Sequence, residues 1–172
     1  PQNRKRLIIV GINNSINKKF NFPQPHKYKP ILKDVLENCP ESPGLIYKKD
    51  KYDIMKLVPE GGCWVDIPDN IAKQYMGKSY ESGGGKRGIL KRLDMKKPSL
   101  TLLTTPSQKQ TERCHPKETR PLQTLEYARI QTFPDDYKFS GSTNQIYKQI
   151  GNAVPVNLSK AIAEEVINVL HN

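Results

Sequence analysis

The sequence predicts an α+β protein, in which an irregular module with short strands is joined to a small helical C-terminal unit. Residues 7–12 form a continuous apolar run that is too short for a helix and rich in β-branched residues, so it indicates a strand. Between residues 41 and 118 the apolar residues fall in short, separated pieces. Residues 154–170 instead carry apolar side chains at steps of three and four, the period of an amphipathic helix.

The N-terminal part of the chain predicts one strand, one linker and one short helix. The run at 7–12 is typical of a fully buried strand, which needs neighbours on both sides, and the chain offers few candidates for them. Residues 13–29 are rich in Asn, Lys and Pro and predict a loop or linker. Apolar residues at helical spacing between 31 and 36 predict a short helix that Pro40 ends.

The middle of the chain predicts small elements separated by turns. Short strands or turns are expected at 45–47, 56–58 and 63–65, and a helix from Asp69 to Met76. Three consecutive glycines followed by Lys86, Arg87 and another glycine predict a flexible basic loop. Residues 89–93 and 99–103 predict a pair of strands.

The last third predicts two helices. One extends from Leu125 to the neighbourhood of Phe133 and ends at Pro134. The other covers residues 154–170, with Pro155 in its first turn, where a missing N–H costs nothing, and Asn152 just upstream as its cap.

Charge is unevenly distributed along the chain. The net charge is +11, and residues 1–118 carry 23 lysines and arginines against 12 acidic residues, whereas residues 119–172 carry five of each. A basic segment beside a neutral one indicates a polyanion-binding face on a separate packing unit. The alternative is a generally basic protein with no such face.

Cysteine usage predicts a reduced, cytoplasmic protein. The three cysteines, Cys39, Cys63 and Cys114, cannot pair completely, and no signal peptide is visible. No apolar stretch nears the roughly 18 residues needed to cross a bilayer, so no membrane partner is expected. Cys114 and His115, taken with Cys63 and His26, lack the spacing of a zinc site, so no metal is expected.

Three blocks of sequence carry a family resemblance. The first is Gln-Asn-Arg-Lys-Arg at 2–6, the second extends over 120–137, and the third is Tyr-Lys-Gln-Ile-Gly-Asn-Ala-Val-Pro-Val at 147–156. The second and third closely resemble the last two motifs of the DNA (cytosine-5) methyltransferase family, and the first resembles its Gln-x-Arg-x-Arg motif. In that family the blocks occur in this order, with a variable target-recognition region between the first two.

The resemblance implies the organisation of the chain. It would be a fragment of an α/β S-adenosylmethionine-dependent methyltransferase, with double-stranded DNA as substrate, in a restriction-modification system. Residues 1–19 would end the catalytic domain, residues 20–118 would form the target-recognition domain, and residues 119–172 would pack back on the catalytic domain. S-adenosylmethionine is the cofactor expected in the complete enzyme.

Candidate catalytic and cofactor residues follow from the first and third blocks. Arg4 and Arg6 are two residues apart, so in an extended chain both project to one face, where two guanidiniums suit a phosphate or a base carbonyl. In the family, arginines of this motif hold the flipped cytosine and its phosphate; flipping is needed because the attacked carbon is unreachable in a stacked duplex. Asn152 and Val154 are expected in the wall of the cofactor site, the alternative being a plain helix cap.

Candidate DNA-binding residues lie in the expected target-recognition region. A glycine-rich loop with four cations is suited to phosphate and guanine contacts, the alternative being a solvated loop. Residues 98–102 resemble the Thr-Leu element of the family's recognition regions, and residues 107–113 are rich in side chains that can read base edges. The predicted DNA-binding residues are Lys86, Arg87, Lys91, Arg92 and Thr101.

The second block is expected to be scaffold. Glu126 and Arg129 are spaced i, i+3 and can pair on one helix, with Arg120 one or two turns away. In the family this block braces the recognition region against the catalytic domain.

Family segments that the sequence does not contain set the expected activity. The methyl-donor loop, the Pro-Cys nucleophile and the Glu-Asn-Val block are absent from the 172 residues, and no cysteine follows a proline. In the family reaction a thiolate attacks C6 of cytosine and makes C5 nucleophilic, so this chain alone is expected to be inactive. Its expected partner is the missing N-terminal catalytic part, either cut away from a longer protein or supplied as a separate subunit. The alternatives are a stand-alone sequence-specific DNA-binding module and a basic RNA-binding protein.

Overall fold

The computed structural model of the chain describes residues 1–81 and 87–171. Within these ranges the regular elements are two very short strands, six α-helices and three turns of 3-10 helix. The strands are β1 (Gln2–Asn3) and β2 (Ser99–Leu100); the helices are α1 (Lys33–Leu36), α2 (Lys49–Met55), α3 (Asp69–Met76), α4 (Thr124–Ile130), α5 (Thr143–Asn152) and α6 (Val156–His171). The 3-10 turns are Trp64–Asp66, Gly77–Ser79 and Lys109–Thr111.

The two strands join the N-terminus to the middle of the chain. β1 and β2 are parallel, with Gln2 opposite Ser99 and Asn3 opposite Leu100. Of the two strands predicted at 89–93 and 99–103, the second corresponds in part to β2, whereas residues 89–93 form no strand. Arg92 instead forms an isolated bridge with Cys114, which bridges Pro121 in turn. Sequence patterns identify extended segments but carry no information about which distant segment pairs with which.

The predicted buried strand at 7–12 is also wrong for the structure described. These residues form no regular element, and the side chains of Leu7 and Ile9 are 86% and 83% exposed. No backbone hydrogen bond joins residues 7–12 to another described segment. A strand needs a neighbour for its N–H and C=O groups, and none lies beside this segment.

One hydrophobic cluster is built by the C-terminal helices with help from the middle of the chain. Tyr127 of α4 and Tyr147 of α5 meet edge to face, with ring centroids 5.1 Å apart. Residues from α1 and from the 93–102 stretch complete this cluster, so it draws on both sides of the boundary predicted at 118/119. That boundary stays a prediction. The buried members are Leu32, Leu36, Leu93, Leu102, Leu122, Tyr127, Ala128, Ile130, Tyr147 and Ile150.

A second hydrophobic cluster belongs to the predicted recognition region alone. It surrounds α2 and α3 and includes the chain around Leu90, which adopts the left-handed conformation with φ of 49°. The buried members are Tyr47, Met55, Val58, Ile67, Ala72, Met76, Ile89, Leu90 and Cys114.

The helices agree with the predictions in part. The helix predicted over Asp69–Met76 is confirmed as α3, and α4 ends at Ile130, before Pro134. α2 and α5 were not predicted, and α5 ends at Asn152. Asn152 is therefore the last residue of α5 and not the cap of the helix that follows.

α6 carries apolar side chains that remain in contact with water. None of its described residues is buried, and Ile167 and Leu170 are 52% and 59% exposed. No helix among the described residues is both long and apolar enough to cross a membrane.

Candidate functional site

The N-terminal segment contacts both C-terminal sequence blocks at one place. The side-chain amide of Gln2 donates to that of Gln131 at 2.6 Å and accepts the backbone N–H of Leu102 at 2.9 Å. Nη1 of Arg4 donates to the carbonyl of Leu102 at 3.3 Å and to that of Gly151 at 3.2 Å. The first block, the β2 region and the third block therefore meet around Arg4.

Gln131 holds the turn between α5 and α6. Its side chain is fully buried, and its Nε2 donates to the carbonyls of Ile150 at 2.8 Å and Ala153 at 3.2 Å. Its own carbonyl accepts the N–H of Val156, the first residue of α6, at 3.0 Å. The end of the second block thus fixes the third block through backbone groups that a helix end leaves without partners.

Gly151 permits this close approach. A Cβ at residue 151 would lie 2.2 Å from the carbonyl oxygen of Leu103 and 2.9 Å from the backbone nitrogen of Thr104. Both atoms belong to the backbone and cannot turn aside as a side chain would. Only glycine lets α5 lie directly against the 102–104 stretch.

The guanidiniums of Arg4 and Arg6 have no carboxylate partner among the described residues. Nη1 of Arg6 donates to the carbonyl of Lys5 at 2.7 Å. Burial and, after it, the positive charge of Arg6 lower the pKa of Arg4. Two cations near each other without an acidic neighbour favour an anion between them or beside them.

Thr101 lies next to this arrangement. Its hydroxyl donates to the carbonyl of Asn3 at 3.0 Å, and the following residue, Leu102, supplies an acceptor for Arg4. Thr101 is half-buried.

The predicted DNA-binding cations differ widely in exposure. Arg87 is exposed, Lys91 is half-buried with its ammonium donating to the carbonyl of Gly61, and Lys86 lies outside the described residues. Arg92 is only 5% exposed. The Arg92 guanidinium donates five hydrogen bonds, as many as it has N–H groups. The acceptors are the carbonyls of Met55, Val58, His115 and Glu118 and the hydroxyl of Thr119. Arg92 therefore ties α2 to residues 115–119, and its placement does not suit the predicted contact with DNA.

The described end of the predicted basic loop, residues 87–88, lies beside the 107–113 segment. The carbonyl of Gly88 accepts the N–H of Glu112 at 2.9 Å. A Cβ at residue 88 would lie 2.3 Å from the carbonyl oxygen of Gln110, so the two backbones are in direct contact. Arg87 and Gln110, both exposed, are consequently neighbours on one edge, which we call the 87/110 edge.

The second block forms a charged brace around a buried carboxylate. The two oxygens of Glu126 each accept a hydrogen bond from Arg120 at 2.8 Å, and Nε2 of His115 lies 3.5 Å away. The predicted pair between Glu126 and Arg129 is wrong, because Arg129 turns to Asp135, with 2.5 Å between Nη2 and Oδ2. The expected scaffold character of this block agrees with these contacts.

Asn152 and Val154 lie at the surface beside the Arg4 site. Asn152 is exposed and Val154 is 57% exposed, at the junction of α5 and α6. Asn152 also borders an open cleft with Gly141, Gln145 and Lys148. The role of Asn152 and Val154 in a cofactor site stays a prediction.

Two residues that matter to the site were missed by sequence reasoning or assigned to the surface. Gln131 lies within the second block, but it carries no charge and follows no apolar period, so neither signal indicates its central position. Arg113 lies in a polar stretch typical of loops, yet it is 5% exposed. Among the described residues no group of three His, Cys, Asp or Glu side chains could hold a metal ion.

Comparison of the sequence with known proteins shows the family of the chain. A family model described as C-5 cytosine-specific DNA methylase matches residues 1–168. The chain is 55% identical to the type II methyltransferase M.Sau96I of Staphylococcus aureus, 54% to M.PspPI of a Psychrobacter species and 51% to M.Eco47II of Escherichia coli. Each comparison covers 99% of this chain but only 40%, 43% and 43% of those relatives. The chain belongs to the C-5 cytosine-specific DNA methylase family and spans about two fifths of the length of these relatives.

Proposed function

We propose that this chain is the DNA-recognising C-terminal part of a DNA (cytosine-5) methyltransferase, which methylates C5 of cytosine within a specific duplex sequence in a restriction-modification system. The observation that carries the proposal is the meeting of three sequence blocks around Arg4. Gln2 donates to Gln131 in the second block and Arg4 donates to the carbonyl of Gly151 in the third, so two hydrogen bonds join the N-terminal segment directly to both C-terminal blocks. Family membership of residues 1–168 supports it.

In this proposal Arg4 and Arg6 hold the flipped cytosine and its phosphate. Arg4 is anchored through Nη1, which leaves Nε and Nη2 without an acceptor among the described residues. A guanidinium fixed at one end and open at the other can bind a phosphate or a base carbonyl without losing much side-chain freedom. Thr101, whose hydroxyl donates to the carbonyl of Asn3, lies at the DNA backbone beside the target base.

Asn152 and Val154 contribute one wall of the cofactor site. When bound, S-adenosylmethionine supplies the methyl group. The exposed Val154 side chain offers an apolar surface, and the Asn152 amide offers hydrogen-bonding groups; both follow Gly151, whose carbonyl anchors Arg4. The wall and the base-holding arginine are thus connected through one carbonyl group.

The 87/110 edge reads base pairs beside the target cytosine. Arg87 suits the O6 and N7 atoms of guanine, and the Gln110 amide suits the N6 and N7 atoms of adenine. Gln110 and Arg113 are three positions apart in the chain, a span of at most about 10–11 Å. Arg113 contacts the Thr101 carbonyl at 2.7 Å. With roughly 3.4 Å of rise per base pair, this spacing corresponds to a reading position within a few base pairs of the target.

The catalytic nucleophile and the main cofactor loop come from an N-terminal catalytic part that packs against the exposed apolar residues. Leu7 and Ile9 at one end of the chain, and Ile167 and Leu170 at the other, expose between 52% and 86% of their surfaces. Exposed apolar residues at this density are typical of a surface that another protein unit covers.

Methyl transfer tests the proposal directly. The chain is combined with the N-terminal catalytic part, in one polypeptide or as a second subunit, and labelled S-adenosylmethionine is supplied with mixed-sequence duplex DNA. Label should appear at C5 of cytosine in the combination only. Absence of label from every DNA tested contradicts the proposed function, as does tight, sequence-specific duplex binding by the chain alone.

Arg6→Ala separates the base-holding role from general attraction to DNA. In the combined enzyme we expect turnover to fall by ten- to a hundredfold, while duplex affinity changes by less than about threefold, because one phosphate contact among many contributes little to binding. Lys5→Ala, which removes an adjacent exposed cation, is the control and should leave turnover near that of the parent enzyme. An unchanged rate in Arg6→Ala removes Arg6 from the site.

Arg87→Lys tests the reading edge. Lysine keeps the positive charge but loses the two-donor fork, so we expect the preference for the correct base at one position to fall by about tenfold or more, from the roughly 1–3 kcal/mol that a bidentate contact supplies. Methylation rates are compared on duplexes that vary one base pair at a time. A uniform loss at all duplexes would identify Arg87 as a phosphate contact instead.

A further inference from the structure

Arg113 is a buried arginine whose guanidinium contacts only carbonyl oxygens. Nε and Nη2 both donate to the carbonyl of Thr101, at 3.1 and 2.7 Å, and Nη1 donates to that of Glu112 at 2.7 Å. Its backbone N–H donates to Pro106 at 2.8 Å. The side chain is 5% exposed, and no described carboxylate forms an ion pair with it.

The fork on Thr101 fixes the direction as well as the position of that carbonyl. A planar guanidinium with two donors on one oxygen tolerates little rotation, whereas a lysine ammonium would hold the same oxygen from many directions. Burial lowers the pKa of Arg113. The charge of the nearby Glu112 carboxylate offsets part of this effect, but the guanidinium itself donates to carbonyl oxygens. A buried cation held in this way is costly, so we attribute its benefit to the geometry that it imposes.

On one side, Arg113 leads to the base-holding site. The Thr101 hydroxyl donates to Asn3 at 3.0 Å. The next residue, Leu102, gives its N–H to Gln2 and its carbonyl to Arg4. A shift of the Thr101 peptide would therefore move the acceptor that anchors Arg4.

On the other side, Arg113 leads to the recognition module. The Glu112 carboxylate is fully buried, lies 2.5 Å from the ammonium of Lys51 in α2 and accepts the Tyr47 hydroxyl at 3.0 Å. The Glu112 N–H is bonded to Gly88 of the 87/110 edge. Residue 112 is thus fixed to the second hydrophobic cluster and to the edge at once.

We infer that Arg113 is a positioning residue, which transmits the placement of the 87/110 edge to the Thr101–Arg4 site, so that correct contact with the recognition sequence sets the geometry in which the target base is held. The inference rests on the proposed function. It assigns to Arg113 no contact with DNA, cofactor or the reacting atoms.

Arg113→Lys in the complete methyltransferase is the test. Three quantities are measured: kcat and KM for duplex DNA, equilibrium DNA affinity, and the fluorescence of a 2-aminopurine placed at the target base, which rises when the base leaves the stack. We expect kcat to fall by ten- to a hundredfold, in keeping with a displacement of about 1 Å at a reacting site. DNA affinity should change by less than about threefold, and the 2-aminopurine signal should fall.

Arg129→Lys is the matched control. Arg129 also places two donors on one partner, the Asp135 carboxylate, but it lies away from the Thr101 peptide. This control should keep the kcat and the 2-aminopurine signal of the parent enzyme. A parallel fall of kcat, affinity and thermal stability in Arg113→Lys, with an unchanged 2-aminopurine signal per bound complex, would show a merely structural role and overturn the inference.

A second variant covers the case in which Arg113→Lys does not fold. Glu112→Gln keeps the side-chain volume and weakens the attachment to Lys51, so it loosens the same connection from its other end. It should lower the 2-aminopurine signal in the same direction, and an unchanged signal overturns the inference. Failure of the proposed function is distinguishable, because the parent enzyme would then transfer no methyl group and Arg6→Ala would have no effect.

Discussion

A buried arginine keeps its charge, so each of its N–H groups needs an acceptor inside the protein. Arg92 meets this requirement with four carbonyls and one hydroxyl, and it joins segments that are far apart in the chain. Arg113 directs three hydrogen bonds to the carbonyls of Thr101 and Glu112. These two side chains organise loops that have almost no regular secondary structure of their own.

His115 makes the stability of the brace depend on pH. Burial lowers the pKa of His115, and its Nδ1 accepts the N–H groups of Lys117 at 3.2 Å and Glu118 at 3.0 Å. A proton on Nδ1 would face two donors. The pKa of His115 is therefore lower in the folded chain than its ordinary value of 6.5 in the unfolded chain. As the pH falls through 6.5, His115 takes up a proton more readily in the unfolded chain than in the folded chain. The free energy of unfolding should therefore decrease on acidification, by up to about 1.4 kcal/mol per pH unit.

His115→Asn isolates this contribution. The asparagine carbonyl can accept the same N–H groups but does not titrate, so the variant should show a smaller pH slope in chemical denaturation between about pH 7 and 5.5. His26→Asn changes an exposed histidine and should keep the parent slope. Identical slopes for the parent and His115→Asn would exclude His115 as the source.

At the scale of elements, the packing of α5 against the 102–104 stretch depends on one missing side chain. Alanine is intrinsically favoured over glycine in a helix by about 1 kcal/mol. At residue 151, however, the added Cβ would lie 2.2 Å from the Leu103 carbonyl oxygen. The steric term is larger than the propensity term, since backbone on both sides would have to move.

Gly151→Ala should therefore destabilise the protein by about 2 kcal/mol or more, despite the helix propensity of alanine. Gly11→Ala is the matched control, because a Cβ at that residue would find no atom within 4 Å. Its free energy of unfolding should stay within about 0.5 kcal/mol of the parent. Urea denaturation measures both, and an equal stability of the two variants would contradict the proposed packing.

Which elements the sequence could predict depended on local signals. α3 begins at an aspartate and is followed by Gly77, and α4 ends before a proline. In both cases residues next to the helix indicate where it begins or ends. α5 was missed although Ser142 and Gln145 form a capping box, with Gln145 Oε1 accepting the Ser142 N–H at 2.7 Å. That spacing, followed by Ile146, Tyr147 and Ile150, was the available signal.

Elements that depend on distant partners were not predictable in this way. The apolar run at 7–12 predicts a buried strand, but such a strand needs neighbours that the described residues do not provide. The β1–β2 pair joins segments nearly a hundred residues apart, and no local pattern encodes that register. Arg92 is predicted to bind DNA because a cation in a basic stretch gives no sign of the carbonyl groups that surround it.

For the whole molecule, two hydrophobic clusters coexist with apolar residues that remain exposed. The clusters stabilise the chain, whereas Ile9 and Ile167 add nothing to either. Replacing such residues should leave the folded chain intact and affect only its association with another unit. The three sequence blocks predicted this candidate site in outline, because each block lies at it; the connecting residues Gln131 and Arg113 required the fold.

Ile167→Lys and Ile9→Lys test whether these exposed residues serve association with another unit and not the stability of the chain. Each variant should unfold within about 0.5 kcal/mol of the parent chain. Association with the N-terminal catalytic part should weaken by at least tenfold, because an uncompensated charge would be placed in an apolar contact. Ile46→Lys, which alters an 89% exposed isoleucine elsewhere, is the control and should leave association unchanged. Equal association of all three variants with the catalytic part would contradict the proposed interface.

The pairing of β1 with β2 has a consequence for the order of assembly. It closes a loop of nearly a hundred residues with only two residues of strand, and loop closure of that length is entropically unfavourable until the intervening segments are compact. The contacts around Arg4 should therefore form last during folding, after both clusters. A refolding chain would then bring the guanidiniums of Arg4 and Arg6 into position only after its recognition surface has formed.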